Sequence, residues 1–239
     1  MEQQTLKLTS VLSDPTRYSI YQYVSRQHRD VTVQEIADSF NIHANVARLH
    51  LTKLEDVEML VSETKKTGKG GRPSRYYRIS DEVVSLQFPY RDYQRLSEIA
   101  INSLASLGKE GRHALIETGR TFGYESAKSF VDSLDEDVSD MSAKEKVTFI
   151  EKISLNQGLN PEMHYDEERN EIVFRIFNCT FSELAKSQPG ICQMHHALVE
   201  GIFEYFFKDI KLQEESSMFQ ENEMACTYTT VVLGNEATS

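Results

Sequence analysis

The chain has 239 residues, and its 26 Lys and Arg against 37 Asp and Glu give a formal net charge of −11 at pH 7. That charge excludes a uniformly basic nucleic-acid coat protein, while 39% hydrophobic residues suffice for a sizeable core in one large or two ordinary domains. No stretch approaches the roughly 18 apolar residues that span a bilayer, and 1–10 lacks the basic and apolar regions of a signal peptide. We therefore expect a soluble, cytoplasmic protein with no membrane partner.

Charge is distributed unevenly along the chain. Residues 1–80 hold 12 basic and 9 acidic residues, a net charge of +3, whereas 81–239 hold 14 and 28, a net charge of −14. Within 61–80, six Lys and Arg accompany Glu63 as the single acidic residue, a net charge of +5. This asymmetry predicts a module that faces a polyanion, joined to an acidic body.

The first eighty residues carry signals for the starts and ends of helices. Asp14 followed by Pro15 is typical of an N-cap with proline at the first helical position. Thr32 and Glu35 have the spacing of a capping box at the start of the next helix, and Asn41 tolerates the left-handed conformation that ends it. A short helix, a tight turn and a longer helix together predict a helix-turn-helix unit.

The longer helix, expected from about 44 to 58, has two distinct faces. Its apolar face consists of Ala47, His50, Leu51 and Leu54. Its outer face carries Asn45, Arg48, Leu49 and Thr52, with Lys53 beside them. Asn and Arg can make paired hydrogen bonds to adenine and guanine edges in the major groove, and Leu can touch a thymine methyl. An ordinary solvated helix face is the alternative interpretation, because amphipathic helices are common.

A basic, glycine-rich hairpin is predicted directly after this helix. Residues 60–66 and 75–79 favour strands, and 67–71 between them contain the glycines of the tip. Such a wing contacts phosphates, and its candidate residues are Lys65, Lys66, Lys69, Arg72 and Arg75. A nucleotide phosphate loop is the rival interpretation, but the glycine spacing does not match it and a proline follows instead of a helix.

This segment resembles a known class of transcriptional regulators. Residues 41–51, Leu54 and 70–73 are similar to winged-helix regulators of the ArsR-like superfamily, in particular the branch of SufR-type iron-sulfur biogenesis repressors. That branch has proline where this chain has Ala44, and tends to have glycine where it has Glu58. The resemblance implies a winged helix-turn-helix repressor that binds an inverted-repeat operator in double-stranded DNA as a homodimer.

The acidic body predicts long helices followed by a mixed domain with an antiparallel sheet. The first long helix, 90–107, has an apolar stripe at Leu96, Ile99, Ala100, Leu104 and Leu107. It and a second helix at 112–134 can pair across a dimer or pack on the downstream domain. Further helices are expected at 142–157 and 191–207, and strands near 163–165, 171–177, 210–218 and 225–233.

The predicted fold class is therefore α+β, with three parts. Residues 1–80 form a winged helix-turn-helix DNA-binding domain. Residues 81–135 form a connector with long helices and a possible role in dimerisation. Residues 136–239 form an acidic α+β sensor domain with three cysteines.

The three cysteines, Cys179, Cys192 and Cys226, all lie in the acidic body. An odd number in a chain of this length does not make a disulfide framework, and indicates reduced thiols, metal ligands or small buried side chains. In the SufR-type branch, cysteines at the resembling positions hold an iron-sulfur cluster, so the resemblance implies a 4Fe-4S cluster here. A cubane cluster ordinarily takes four protein ligands, and His195 is the leading candidate for the fourth. Three cysteines and one histidine equally suit zinc, and the absence of any metal is the third possibility.

Three functional hypotheses cover these observations. The first is a DNA-binding transcriptional regulator whose sensor domain holds an iron-sulfur cluster. The second keeps the DNA-binding half but senses a small organic ligand in an apolar pocket, with structural cysteines. The third is a thiol-dependent enzyme that uses Cys179 or Cys192 as a nucleophile with a nearby histidine. It is the weakest, because no local sequence supplies a base or an orienting carboxylate, and we expect no enzymatic activity.

Overall fold

The computed structural model describes residues 2–65 and 74–232. The described residues up to Arg91 form one compact unit, and those from Asp92 onward form a second. Each unit combines helices with one antiparallel sheet, which confirms the predicted α+β class. None of the described helices is both long enough and apolar enough to span a membrane.

The first unit has the winged helix-turn-helix arrangement. Its elements in chain order are α1 (Glu2–Leu12), α2 (Pro15–Arg26), β1 (Val31–Thr32), α3 (Val33–Phe40), α4 (Ala44–Glu55), β2 (Leu60–Lys65) and β3 (Ser74–Ile79). Strand β3 pairs antiparallel with both β2 and β1, so the sheet order is β1-β3-β2. With two residues, β1 is too short to show a hydrophobic alternation, and the sequence did not reveal it.

The predicted helix ends in this unit are present in the structure. The carboxylate of Asp14 and the hydroxyl of Thr32 each accept a hydrogen bond from the backbone N–H three residues later. Asn41 has a φ of 50° and ends α3 in the left-handed conformation. Of the predicted capping box, the Thr32 half is present, whereas the Glu35 carboxylate accepts hydrogen bonds from the Arg29 guanidinium, at 2.6 and 3.0 Å.

The turn after α4 requires a left-handed residue. Helix α4 ends at Glu55, earlier than the expected boundary near 58, and Glu58 has a φ of 63°. The backbone N–H of Met59 donates to the carbonyl of Leu54 at 3.1 Å, which closes the helix end. A positive φ favours glycine, the residue that the resembling regulators tend to have at this position.

A single core holds α4 in place. The four residues predicted for its inner face, Ala47, His50, Leu51 and Leu54, are all buried. They pack with buried side chains of the other helices and of the sheet, namely Val11, Ile20, Val24, Val31, Ile36, Ala37, Leu60 and Tyr77. The outer face of α4 is thereby directed away from the core.

The second unit places helices against a four-stranded antiparallel sheet. Its elements are α5 (Tyr93–Ser106), α6 (Lys109–Asp132), α7 (Ala143–Asn156), β4 (Pro161–Asp166), β5 (Glu171–Ile176), α8 (Ser182–Ala185), α9 (Pro189–Phe206), β6 (Gln213–Ser216) and β7 (Cys226–Val231). The strand order is β4-β5-β7-β6, with a 3-10 turn at Val138–Asp140 inside the acidic run. The short helix α8 was not predicted.

Glycines let α6 and α9 approach until their backbones touch. A Cβ added at Gly123 would lie 1.9 Å from the backbone oxygen of Leu198, and one at Gly201 would lie 2.1 Å from that of Arg120. Backbone atoms in two packed helices cannot move aside, so only glycine fits these positions.

An ion-pair network closes the same contact between α6 and α9. The Arg120 guanidinium donates to the carboxylate of Glu200 at 2.7 Å and also to that of Glu204. Glu200 additionally lies 3.4 Å from the backbone N–H of Leu212, which follows α9. Charged hydrogen bonds that are partly removed from water therefore add to the backbone packing.

We predict that Gly123→Ala destabilises the protein by roughly 3 kcal/mol, because the new methyl group overlaps a backbone carbonyl. Urea unfolding followed by circular dichroism measures the loss. Gly190→Ala in the first turn of α9 is the matched control, since nothing lies within 4 Å of a Cβ there, and its stability should equal or slightly exceed that of the wild type. Equal stability of the two variants would contradict this account of the helix contact.

Candidate functional site

The outer face of α4 presents a mixed polar and apolar surface, which we call the recognition face: Asn45, Arg48, Leu49 and Thr52. Asn45 and Arg48 are exposed, Thr52 is half-buried, and Leu49 leaves 55% of its surface in solvent although it is apolar. The Arg48 guanidinium donates to the Asn45 side-chain oxygen at 3.0 Å. His43 begins the helix, and its Nδ1 accepts a hydrogen bond from the Asn45 backbone N–H at 3.2 Å.

The basic residues near this face have acidic neighbours within the chain. The ammonium of Lys53 lies 4.0 Å from the Asp56 carboxylate, and that of Lys65 lies 2.7 Å from Asp30. Both lysines are exposed, so a phosphate can replace these surface ion pairs at little cost. The wing residues Lys66, Lys69 and Arg72 lie outside the described residues.

Arg75 joins the wing strands to the recognition helix. Its Nη2 lies 2.7 Å from both carboxylate oxygens of Glu55 at the end of α4, and its Nε donates to the Ser62 hydroxyl on β2 at 2.7 Å. The guanidinium also lies over the ring of Tyr77, 5.3 Å from its centre. These contacts fix the angle between β2, β3 and α4. The pairing leaves no local signal in the sequence, because 20 residues separate Glu55 from Arg75.

A buried histidine supports the recognition helix from inside. The His50 Nδ1 atom has no hydrogen-bond partner in the described residues and lies 4.0 Å from the Asp14 carboxylate. Burial is the main cause that lowers the pKa of His50; the Asp14 charge opposes it and the Arg17 charge adds to it. The folded unit therefore favours the neutral imidazole.

We predict that protonation of His50 in the unfolded chain destabilises the protein below pH 6.5. Because the pKa of His50 is lower in the folded state, the unfolded chain binds more protons as pH falls through about 6.5, and stability decreases with it. Thermal unfolding near pH 7.5 and near pH 5.5 should show a smaller decrease in Tm for His50→Leu than for the wild type. His164→Gln, at an exposed position on β4, should keep the wild-type decrease.

The three cysteines, which we call the thiol cluster, lie close together in the second unit. Cys226 begins β7 and pairs in register with Ile176 on β5, and Cys179 follows that strand by three residues. Cys192 lies in the first turn of α9. The thiols interact electrostatically with one another: Cys226 acts on both of the others, and Cys192 acts on Cys179.

Cys179 and Cys192 are held in the protonated form. Burial raises the pKa of Cys179 to about 11, and the neighbouring thiols contribute in the same direction. Burial likewise raises the pKa of Cys192, and the neighbouring Cys226 and Glu214 raise it further. The sulfur of Cys226 accepts a hydrogen bond from the backbone N–H of Met218 at 3.4 Å. Met218 lies between β6 and β7, where no sequence signal pointed to it.

His195 is the histidine closest to this cluster. Its Nδ1 lies 3.5 Å from the sulfur of Cys179, and its ring meets the ring of Phe181 edge to face, 5.1 Å between centres. Burial lowers the pKa of His195 to about 4, and the adjacent His196 adds to the shift. The imidazole is therefore neutral at physiological pH, which is the form that binds metals.

A buried tyrosine completes the surroundings of the thiols. The ring of Tyr228 stacks on His196 with 5.2 Å between centres, and the His196 Nε2 lies 3.1 Å from the carbonyl of Leu212. Burial raises the pKa of Tyr228, and Cys226 and Glu214 raise it further. The phenol is therefore neutral, and all three thiols act on it electrostatically.

The thiol cluster and His195 have the chemistry of a metal site without its spacing. Three thiols and a neutral imidazole are suitable donors for zinc or an iron-sulfur cluster. Within the described ranges, however, no three His, Cys, Asp or Glu side chains are positioned to share a metal ion. Metal binding would require these side chains to draw together and to release their protons.

Comparison with protein families identifies the second unit. Residues 106–230, which are 125 of the 239 residues, match the family model described as methanogen output domain 1. The chain belongs to the methanogen output domain 1 family. Residues 12–63 match a model described as a helix-turn-helix domain. No curated protein matches the chain.

The two matches agree with the division of the functional residues. The helix-turn-helix match contains the recognition face and supports a DNA-binding regulator of the ArsR-like type. The methanogen output domain contains the thiol cluster and His195, and this family match does not specify a function. Neither match reaches the SufR-type branch, so that part of the resemblance stays a prediction.

Among the described residues of the second unit, two surface depressions have no cysteine in their lining. One of about 490 Å³ is lined by Glu204, Asp209, Ile210, Lys211, Thr230 and Val231. The other, of about 230 Å³, lies between α5 and the residues around α8 and is lined mainly by polar side chains, among them Gln94, Glu98, Asn102 and Gln188. Neither has the apolar, enclosed lining typical of a pocket for a small organic ligand.

The Cys179–His195 contact also bears on the enzyme hypothesis. A nucleophilic cysteine needs a lowered pKa and access to solvent. Burial instead raises the pKa of Cys179 to about 11, and only 6% of the residue is exposed. Thiolate is therefore scarce at neutral pH, and this pair is poorly suited to nucleophilic attack.

Proposed function

We propose that the chain is a transcriptional repressor that binds an inverted-repeat operator in double-stranded DNA as a homodimer. The observation that carries this proposal is the recognition face of α4. Asn45, Arg48 and Leu49 are exposed on a helix whose opposite side is fully anchored in the core of a matched helix-turn-helix domain.

Each residue of this face has a distinct part in reading DNA. Arg48 can donate two hydrogen bonds to guanine, Asn45 can pair with adenine, and Leu49 can contact a thymine methyl. Lys53 and Lys65 would contact phosphates, which set orientation and affinity but not sequence preference. Arg75 keeps the wing strands at a constant angle to α4 through its contact with Glu55.

We predict that Arg48→Ala weakens operator binding by about 1 to 3 kcal/mol and relaxes the preference at one base pair. Lys69→Ala should weaken binding to all sequences alike and flatten the salt dependence, because it removes a phosphate contact. The measurement is fluorescence anisotropy with an operator selected from random duplexes and its single-base variants, at several salt concentrations.

Lys208→Ala is the control for this comparison, since it removes the same charge from an exposed site in the second unit. It should bind like the wild type. If Arg48→Ala and Lys69→Ala prove indistinguishable across the operator variants, the roles assigned to the recognition face and wing are wrong.

We further propose that the thiol cluster, with His195 as fourth ligand, binds a 4Fe-4S cluster and makes the methanogen output domain a sensor. The support is that three cysteines far apart in sequence all act electrostatically on one buried tyrosine, and that a neutral imidazole lies 3.5 Å from one of them. A bound cluster supplies a charge that changes with redox or iron status. Through their bonds to the cluster, the three cysteines would link the end of β5, the start of α9 and the start of β7.

We predict that protein reconstituted anaerobically with iron and sulfide shows a broad absorption near 400 nm, because thiolate-to-iron charge transfer absorbs there. Cys192→Ser should abolish it. Ser187→Ala, an exposed substitution just before α9, should leave it unchanged. Metal analysis of the same samples separates the alternatives: a colourless protein with bound zinc would indicate a structural site, and a metal-free protein would favour an organic effector.

A further inference from the structure

Helix α5 leaves an apolar face uncovered. It has 14 residues, and none of them is buried in the described structure. The large side chains of Tyr93, Leu96 and Ile99, and of Leu107 directly after the helix, are between 59% and 63% exposed. Burial of such side chains is the main source of helix stability in proteins, so this face requires a partner.

The opposite face of α5 is the one that attaches to the second unit. Ile101 is half-buried on that side, and the Asn102 side chain accepts a hydrogen bond from Gln188 at 2.8 Å. Leu104, which borders the uncovered face, is also half-buried. The carbonyl of Leu104 also meets Gly111 at the start of α6. A helix of this length is marginal in water without further packing. Of the two long helices, α6 is covered by α9 and α5 is not.

The uncovered face has the spacing of a helix that pairs with another helix. Tyr93, Leu96, Ala100, Ser103 and Leu107 follow one another at intervals of three, four, three and four residues, and we call this set the α5 seam. Such spacing places all five on one stripe, as at the a and d positions of a coiled coil. The two small residues at its middle allow a partner backbone to approach closely, and the larger residues close both ends.

Charge indicates which partner fits the α5 seam. Arg95 and Glu98 are the charged residues of α5, so the helix is neutral, whereas residues 81–239 together carry a net charge of −14. A second α5 meets no like charge along the seam. Contact through other, acidic surfaces of the same unit would place negative charges opposite one another. A charged macromolecule, in turn, would find no complementary charge on this stripe.

We propose that the α5 seam is the dimer interface and that its occupant is α5 of a second copy of this chain. The inference rests on the proposed homodimeric regulator and specifies the surface that joins the two copies. Two-fold pairing places Ala100, at the centre of the seam, next to its own copy in either helix orientation. The pair then presents two DNA-binding units to the two halves of an operator.

The test compares Leu96→Asp with Leu155→Asp. Leu155 is a leucine on α7 that is similarly exposed, at 51%, but lies outside the α5 seam. Size-exclusion chromatography with light scattering at micromolar concentrations should give about twice the 27.4 kDa chain mass for the wild type and Leu155→Asp, and the chain mass for Leu96→Asp. Circular dichroism verifies that each variant is folded. A dimeric Leu96→Asp, a monomeric Leu155→Asp or a monomeric wild type would overturn the proposal.

Cross-linking tests the same surface without weakening it. Ala100→Cys should be joined to its copy by a short bismaleimide, whereas Ser129→Cys, an exposed position on α6, should cross-link no more than the wild type. Equal cross-linking of the two variants counts against the α5 seam. Binding to a single operator half-site distinguishes failure of the dimer proposal from failure of the proposed function. Monomeric Leu96→Asp should still bind the half-site. A wild type that binds no DNA would contradict the proposed function but not the dimer.

Discussion

Backbone contact between α6 and α9 is the constraint on which the second unit depends. Gly123 and Gly201 remove the side chains that would separate the two helices, and Arg120 then bridges to Glu200 and Glu204. The side of α9 that faces the sheet packs into the core, where the rings of Phe203 and Phe174 lie 5.6 Å apart between centres. A shift of α9 is consequently felt along the whole of α6, because two backbones in contact cannot move independently.

The start of α9 holds one member of the thiol cluster and also contacts α5 and α6. Cys192 lies in the first turn of α9, one residue before Gln193, which accepts a hydrogen bond from Arg112 of α6. Gln188, directly before α9, donates to Asn102 of α5. A change that repositions Cys192 therefore acts on helix contacts within a turn of it. If α5 pairs with its copy, as proposed, these hydrogen bonds connect Cys192 to the dimer interface.

Local features of this fold could be predicted from the sequence, whereas pairings between distant segments could not. Asp14, Thr32 and Asn41 mark helix ends through bonds to residues at most a few positions away, so short motifs reveal them. The ion pair between Glu55 and Arg75 depends on how the wing folds back on α4, and the fit of Gly123 against α9 depends on packing. Likewise, the sequence predicts the apolar stripe of α5. Its exposure depends on the packing of α6 against α9, which leaves that stripe without a partner helix among the described residues.

Burial of Cys179 limits the chemistry that is open to the thiol cluster. With the pKa of Cys179 at about 11, forming its thiolate at neutral pH costs roughly 5 kcal/mol, which a weakly bound ligand cannot offset. Strong metal–thiolate bonds can offset this cost. Because the thiols release their protons as these bonds form, the affinity for metal should increase as pH rises. Small oxidants react with thiolates, and burial suppresses that reaction as well. The environment that makes Cys179 a poor nucleophile is therefore compatible with a tightly held metal group, because a metal that is present can stabilise the thiolate.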